Sequence, residues 1–220
     1  MRWNTVLVSS LGFKYTKNNI DYSDIVNSKK DNCKIVMLNS DLFIKIIKLN
    51  EKYKNVEKLI SLEINKFFKG DNLLFHYLII KNKREKMAFI YTIKNNLIID
   101  KLEQNTGNIK IIPVQFLFLK KILKDINKEL NFIIFTLNEY TYVMGVWTKV
   151  IVSNHIINNK EVDSFKNIFE EVINGVRKLI ERDFEDYKIF IVSDVLPIFI
   201  DGVPKDKEIV MLKREDYNVL

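Results

Sequence analysis

Glycine, proline, cysteine and alanine are all scarce in this 220-residue chain, which has 6 Gly, 3 Pro, 1 Cys and a single alanine, Ala88. The lone Cys33 rules out a disulfide within the monomer and suits a reducing compartment. Loops that wrap phosphate in backbone N–H groups need glycines in clusters, and the six here are scattered. No apolar run reaches the ~18 residues of a membrane-spanning helix; the best, Leu73 to Ile80, is short and contains His76. Thr5 to Leu11 is too short, and at Ser9 and Ser10 too polar, for a signal-peptide core, and no small-residue cleavage site follows. The chain is therefore expected to be neither secreted by that route nor membrane-spanning, with an anchor after Leu220 left open.

What is present is enough for a core. Hydrophobic residues make up 47%, aromatics 12% and charged residues 29%, which argues for a globular rather than a disordered chain of one large or two small domains. The net charge of +7 and pI near 9.2 invite a nucleic-acid reading. Against it, only five basic residues are Arg, and Lys, Asn and Ile are over-used together, as in the product of an AT-rich genome. Solvated lysine surface is the expectation, with no nucleic-acid partner.

Along the chain, strand and helix signals alternate without repeats, low-complexity tracts or linkers. Thr5 to Leu11, Phe13 to Thr16, Ile20 to Val26, Lys34 to Leu38 and Leu42 to Leu49 read as strands. Asn55 to Phe68 reads as a helix, capped by Asn55 and stopped by Gly70, with Val56, Leu59, Ile60, Ile64, Phe67 and Phe68 at helical spacing. Leu73 to Lys81 and Lys86 to Ile93 read as strands joined by Asn82-Lys83-Arg84-Glu85. A helix over 95–104, a strand over Ile109 to Ile112 and a helix from Pro113 to about Glu129 follow. Asn131 to Leu137, Tyr140 to Val146 and Lys149 to Ile157 are β-branched and aromatic. A long helix then spans about Ser164 to Glu181, its stripe being Phe165, Ile168, Phe169, Val172, Ile173, Val176, Leu179 and Ile180. Lys188 to Ser193 and Ile209 to Leu212 close the chain as strands.

Three strands followed by helix and strand thus occur once in each half. In this order the chain resembles the actin-like cytoplasmic proteins of type IV pilus and type II secretion assembly platforms, built from two ribonuclease-H-like subdomains. The segments that carry the resemblance are KIVMLNSDLFIKIIKLN (Lys34 to Asn50), MAFIYTIKNNLIIDKLEQNTGNIKIIPVQFLFLKKIL (Met87 to Leu123) and NFIIFTLNEYTYVMGVWTKVIVSNHII (Asn131 to Ile157). The resemblance implies an α/β fold with a first actin-like subdomain over 1–128, holding a small α/β insertion at about 34–84, and a second over 129–220.

Actin-like ATPases place an acidic residue at the end of the first strand of each half, two residues before a glycine, so that a carboxylate organises a metal-bound water and the turn cradles phosphate. Here the matching positions are Asn138, Glu139 and Tyr140, with no glycine until Gly145. In the first half VLVSSLGFKYT offers Ser10 and Gly12 but no carboxylate, and after Ser193 the residues Asp194-Val195-Leu196-Pro197 replace the paired glycines of the adenosine side. The expectation is a non-enzymatic chain with no nucleotide cofactor and no catalytic, cofactor-binding or metal site: a catalytically inactive scaffold. The resemblance implies a cytoplasmic location at the inner face of the bacterial cytoplasmic membrane. It implies as partners the cytoplasmic tail of an inner-membrane assembly protein and the assembly motor ATPase, and it leaves a homodimer open. The alternatives are a basic nucleic-acid-binding module and a nucleotide-binding actin-like ATPase.

Other chemistry-bearing residues read as structural. Cys33, His76 and His155 are the only material for a thiol or zinc site and lack ligand spacing. The pair Glu170/Glu171 and the group Asp183, Glu185 and Asp186 read as a solvated helix face and its exit. Trp147, Tyr140 and Tyr142 read as packing rather than as a base-stacking platform. Lys81, Lys83, Arg84 and Lys86 form a solvated basic turn tip, open to an acidic partner or a membrane surface.

Overall fold

The computed structural model describes residues 3–9, 12–15, 32–38, 40–49, 55–68, 72–81, 86–95, 99, 108–160, 165–181, 183–192, 194–195 and 197–217. The chain divides into two compact units, one formed by Met1–Ser40 with Leu97–Leu220 and the other by Asp41–Asn96.

The larger unit contains two sheets. In the first, β1 (Trp3–Ser9) pairs antiparallel with β2 (Gly12–Tyr15) and parallel with β3 (Asn32–Met37), which in turn pairs parallel with β7 (Ile109–Pro113). In the second, β8 (Leu130–Leu137) pairs antiparallel with β9 (Tyr140–Trp147), β9 with β10 (Val150–Asn158), and on its other side β8 runs parallel to β11 (Lys188–Val192), which pairs with β12 (Glu208–Leu212). The orders β2-β1-β3-β7 and β10-β9-β8-β11-β12 share one plan: a first strand flanked by an antiparallel hairpin partner and by parallel strands reached through crossovers. The strand expected at Ile20 to Val26 and nearly all of the helix expected over 95–104 lie outside the described residues.

Burial explains why these segments are strands. β8 is apolar almost throughout (LNFIIFTL) and buried on both faces, as a central strand must be. Helix α3 (Phe165–Ile180) lays Phe165, Phe169, Val172, Ile173 and Val176 against that sheet, each fully buried apolar side chain contributing about 1.5–3 kcal/mol. Small residues set its distance from the sheet. Gly145 on β9 lies opposite Ser153 on β10. A Cβ on Gly145 would meet Val176 Cγ2 at 2.4 Å, and one on Gly175 would meet Ser153 Oγ at 3.0 Å.

Helix α2 (Val114–Ile122) starts after Pro113 as expected, but it ends seven residues short of Glu129. The Asp125 N–H returns to the Ile122 carbonyl in a turn, Tyr217 donates its hydroxyl to the Asp125 carboxylate at 2.8 Å, and Ile126 is buried. These long-range contacts outweigh the helical propensity of the segment. Phe118 of α2 stacks on Phe135 of β8 at 4.0 Å, and Phe135 on Tyr142 of β9 at 4.6 Å, tying the two halves of the unit together. The five-residue helix α4 (Pro197–Asp201) and the 3-10 turn Arg214–Tyr217 carry no sequence expectation.

The smaller unit is a three-stranded antiparallel sheet in the order β4-β6-β5, formed by β4 (Phe43–Leu49), β5 (Leu73–Lys81) and β6 (Lys86–Lys94), with helix α1 (Val56–Phe67) on one face. Asn55 caps α1 as expected, its Oδ1 accepting the Lys58 N–H at 3.0 Å. Ile60 packs with Leu49, Ala88 and Ile90. Lys34 to Met37, placed by sequence at the opening of an insertion, belong to β3 of the first sheet, and β6 lies wholly beyond residue 84; the compact inserted unit is Asp41–Asn96.

Candidate functional site

The parallel strands of both sheets in the larger unit end in the segments that the resemblance marks as nucleotide positions of actin-like ATPases, the C-terminal edge being the usual ligand edge of such sheets. In the first half the β1–β2 register ends with Ser9 opposite Gly12; Ser10 lies outside the described residues. In the second half Leu137 faces Tyr140 across a two-residue turn of Asn138 and Glu139, and Asn138 takes φ 56°. Asparagine tolerates that left-handed conformation better than most residues.

This second turn is committed to its own hairpin neighbour. The Glu139 carbonyl accepts the Asn159 N–H at 2.8 Å, and its carboxylate sits 3.5 Å from Lys160 Nζ. Beneath it, Thr141 shares a 2.9 Å hydrogen bond with Thr136 and donates to Asn159 Oδ1 at 2.7 Å. The two residues that follow β10 therefore bond the turn's carbonyl and flank its carboxylate. Gly145 falls in mid-strand under α3, where its missing Cβ serves close packing and not a phosphate turn.

After β11, the Val195 N–H bonds the Val192 carbonyl at 3.0 Å, and Pro197 opens α4. The Asp194 carboxylate is engaged through Oδ2 by the Arg214 guanidinium, while its buried Oδ1 has no hydrogen-bond partner among the described residues. In the sequence Asp194 stands only as a replacement for glycine, and its pairing with Arg214, twenty residues on across β12, carries no local signal.

The remaining candidates are dispersed. Cys33 is buried in β3, where loss of hydration pushes its thiol up to about 11, so the nucleophilic thiolate is disfavoured. His155 lies on β10 opposite Val143. His76 lies on β5 of the smaller unit with its ring stacked 6.4 Å from Tyr91, and partial desolvation holds its imidazole below the usual value. Among the described residues no group of three His, Cys, Asp or Glu is placed to hold a metal ion.

Glu170, Glu171, Asp183, Glu185 and Asp186 are exposed, Asp186 pairing with Lys128 at 2.7 Å. Trp147 and Tyr142 are buried, and the Trp147 indole donates to Glu129 Oε1 at 2.9 Å. Lys81 faces Lys86 across the β5–β6 hairpin, while Lys83 and Arg84 lie outside the described residues.

One basic cluster has no counterpart in the sequence reading. Lys34 on β3 lies opposite Lys110 on β7. Burial, followed by repulsion from Lys110, Lys120 and Lys121, lowers its pKa.

The sequence matches no protein-family model and no curated protein. Solved structures do match. A Bacteroides thetaiotaomicron protein with an actin-like ATPase fold and unknown function aligns over 99% of this chain and 94% of its own, at 11% identity and a TM-score of 0.57. The cytoplasmic domain of EpsL, an inner membrane component of the type II secretion system of Vibrio cholerae, aligns over 96% of this chain and 89% of its own, at 10% identity and a TM-score of 0.52. A chain of the PilM-PilN type IV pilus biogenesis complex aligns over 86% of this chain and 70% of its own, at 7% identity and a TM-score of 0.53. With the repeated sheet plan, these alignments establish that the chain has an α/β, actin-like fold.

Proposed function

We propose that this chain is a catalytically inactive actin-like scaffold in the assembly platform of a bacterial type IV pilus or type II secretion system. In that role it binds the cytoplasmic tail of an inner-membrane assembly protein and the assembly motor ATPase, from the cytoplasmic face of the membrane. The observation that carries the reading is the extent of the likeness: nearly the whole chain follows the EpsL cytoplasmic domain, and most of it follows the PilM-PilN structure. Fold alone does not convey function, and the site supplies the second support. The turn after β8 has its carbonyl bonded by Asn159 and its carboxylate beside Lys160, and Asp194 is engaged by Arg214. In both arrangements a carboxylate oxygen lies beside a cationic side chain of this chain, which supports a reading without metal-bound nucleotide. No helix among the described residues is long and apolar enough to cross a membrane.

Calorimetric titration of the full chain with ATP and magnesium tests the nucleotide-free part. The expected result is no saturable heat; saturable binding overturns it. Pairwise two-hybrid assays against the cytoplasmic tails and motor ATPases encoded beside the gene test the partners, and absence of interaction with all of them refutes the assembly role.

A further inference from the structure

The net charge is not spread evenly. Asp41–Asn96 holds 12 Lys or Arg against 6 Asp or Glu, a net +6 of the whole chain's +7. The same unit carries most of the large exposed apolar side chains among the described residues.

Three of these lie on one strand at alternate positions: Phe75, Tyr77 and Ile79 on β5, exposed by 41%, 37% and 42%. They share the sheet face covered by α1, since Tyr77 and Ile79 stand opposite the core residues Ile90 and Ala88. The Phe75 ring packs edge-on at 5.9 Å against Phe68. The helix thus covers the centre of the sheet and leaves an apolar strip along β5.

β5 is also an edge. It pairs with β6 over an unbroken nine-residue register from Leu73 opposite Lys94 to Lys81 opposite Lys86 and, among the described residues, with no strand on its other side. Native sheets usually blunt such an edge with charges, proline, bulges or a short strand. β4, the opposite edge, carries Lys45 and Lys48, whereas LLFHYLIIK has no proline, no bulge and no lysine before Lys81.

We propose that β5 is the docking edge for an extended, acidic segment of a partner protein, added as a fourth strand of the sheet. The strand's main-chain groups supply hydrogen bonds and the strip of Phe75, Tyr77 and Ile79 receives every second side chain. The lysines at the strand ends, Lys81, Lys86 and Lys94, attract carboxylates. A second copy of the chain fits less well, because two units of net +6 repel. A lipid surface would satisfy the lysines but would not read a period of two along the edge of a sheet. The inference stands on β5 and the charge distribution alone, so its failure leaves the assembly-platform reading intact.

The test is selection from a display library of random peptides on the full chain, followed by hydrogen exchange with the enriched peptides. Expected are sequences alternating apolar residues with Asp or Glu, binding that weakens as salt rises, and slowed exchange confined to residues 73–81. Ile79→Glu should lower affinity at least about tenfold, by placing a like charge on the edge. If that variant fails to fold, Lys81→Glu with Lys86→Glu should give the same loss. No enrichment, enrichment of basic peptides, or slowed exchange elsewhere overturns the proposal. It is equally overturned if β5 is protected instead by phosphatidylserine vesicles, by a nucleic-acid duplex, or by self-association that sedimentation detects and Ile79→Glu abolishes.

Discussion

Gly145→Ala sets two effects of opposite sign against each other. Alanine in a strand interior is favoured over glycine by about 0.5–1 kcal/mol, because the unfolded chain has less freedom to lose. Against this, the new methyl would lie 2.4 Å from Val176 Cγ2, where carbon atoms settle at about 3.5–4.0 Å. Val176 is fully buried and β-branched on a helix, so it has no free rotamer to adopt, and Phe132 and Ser153, each 3.5 Å from the new atom, close the other directions. Overpacking of this kind costs about 1–3 kcal/mol, so the net expectation is a loss of about 1–2 kcal/mol. Val176→Ala alone removes two buried methyls and should cost about 2 kcal/mol. In the double variant the alanine methyl at 145 fills part of that space, and the pair should be more stable than additivity predicts by at least about 1 kcal/mol. Urea unfolding followed by circular dichroism reads all three, with m unchanged. A neutral or stabilising Gly145→Ala, or an additive double variant, refutes the claim that this glycine sets the approach of α3.

The β9–β10 turn holds Thr148 and Lys149 at φ 46° and 70°, costly for side chains of their kind, while Thr148 N–H stays bound to the Glu129 carbonyl at 2.8 Å. Replacing the pair by Asn-Gly should raise stability by about 1–2 kcal/mol, and an unchanged melting temperature would contradict it. Lys34→Met removes a partly buried charge that faces three other lysines; the melting temperature should rise, more at low salt than at high, and a fall would show that the cluster is not repulsive. The Cys33 thiol is raised from 9.0 to about 11 and the Tyr217 phenol from 10.0 to about 12, chiefly by burial. Each stays protonated in the folded state after the unfolded chain has released its proton. Stability should therefore hold below pH 9 and fall as pH rises through 9–11 and then 10–12, the first part vanishing in Cys33→Val. A flat urea midpoint from pH 8 to 11 would refute the burial of Cys33 as its cause.

Those positions show which parts of the molecule are written locally. β8 is legible because a strand buried on both faces must be apolar throughout, and α3 because one face of a helix meets the sheet at a fixed period. Asn55 announces α1 because an asparagine side chain satisfies an orphan N–H three residues on. The end of α2 is not legible. Its determinant is Tyr217, far along the chain, whose hydroxyl holds Asp125 in a turn. Gly145 is visible as a glycine, but its purpose depends on Val176 of a helix not yet formed. The turn after β8 and the segment after β11 stand out by the glycines they lack, whereas the groups that contact them, Asn159, Lys160 and Arg214, come from other parts of the chain. The sequence of β5 reads as a strand joined to the next, as a hairpin or as two adjacent sheet elements; that its other side has no strand among the described residues is a property of sheet order, which one strand's sequence does not encode.

The placement of Asp41–Asn96 between β3 and β7 bears on how the chain is made. β3 takes up its outer partner only when β7 arrives, and the Asn108 side chain bonds Asn32 across 76 residues. At a synthesis rate of about 5–20 residues per second this interval lasts roughly 4–15 s, whereas a hairpin forms in about 1–10 μs. Among the described residues the strands β4, β5 and β6 pair only with one another. They therefore emerge as a complete sheet while the host sheet is still waiting, and the span that β3 and β7 must close is shortened by a prefolded body before the ribosome has finished the chain.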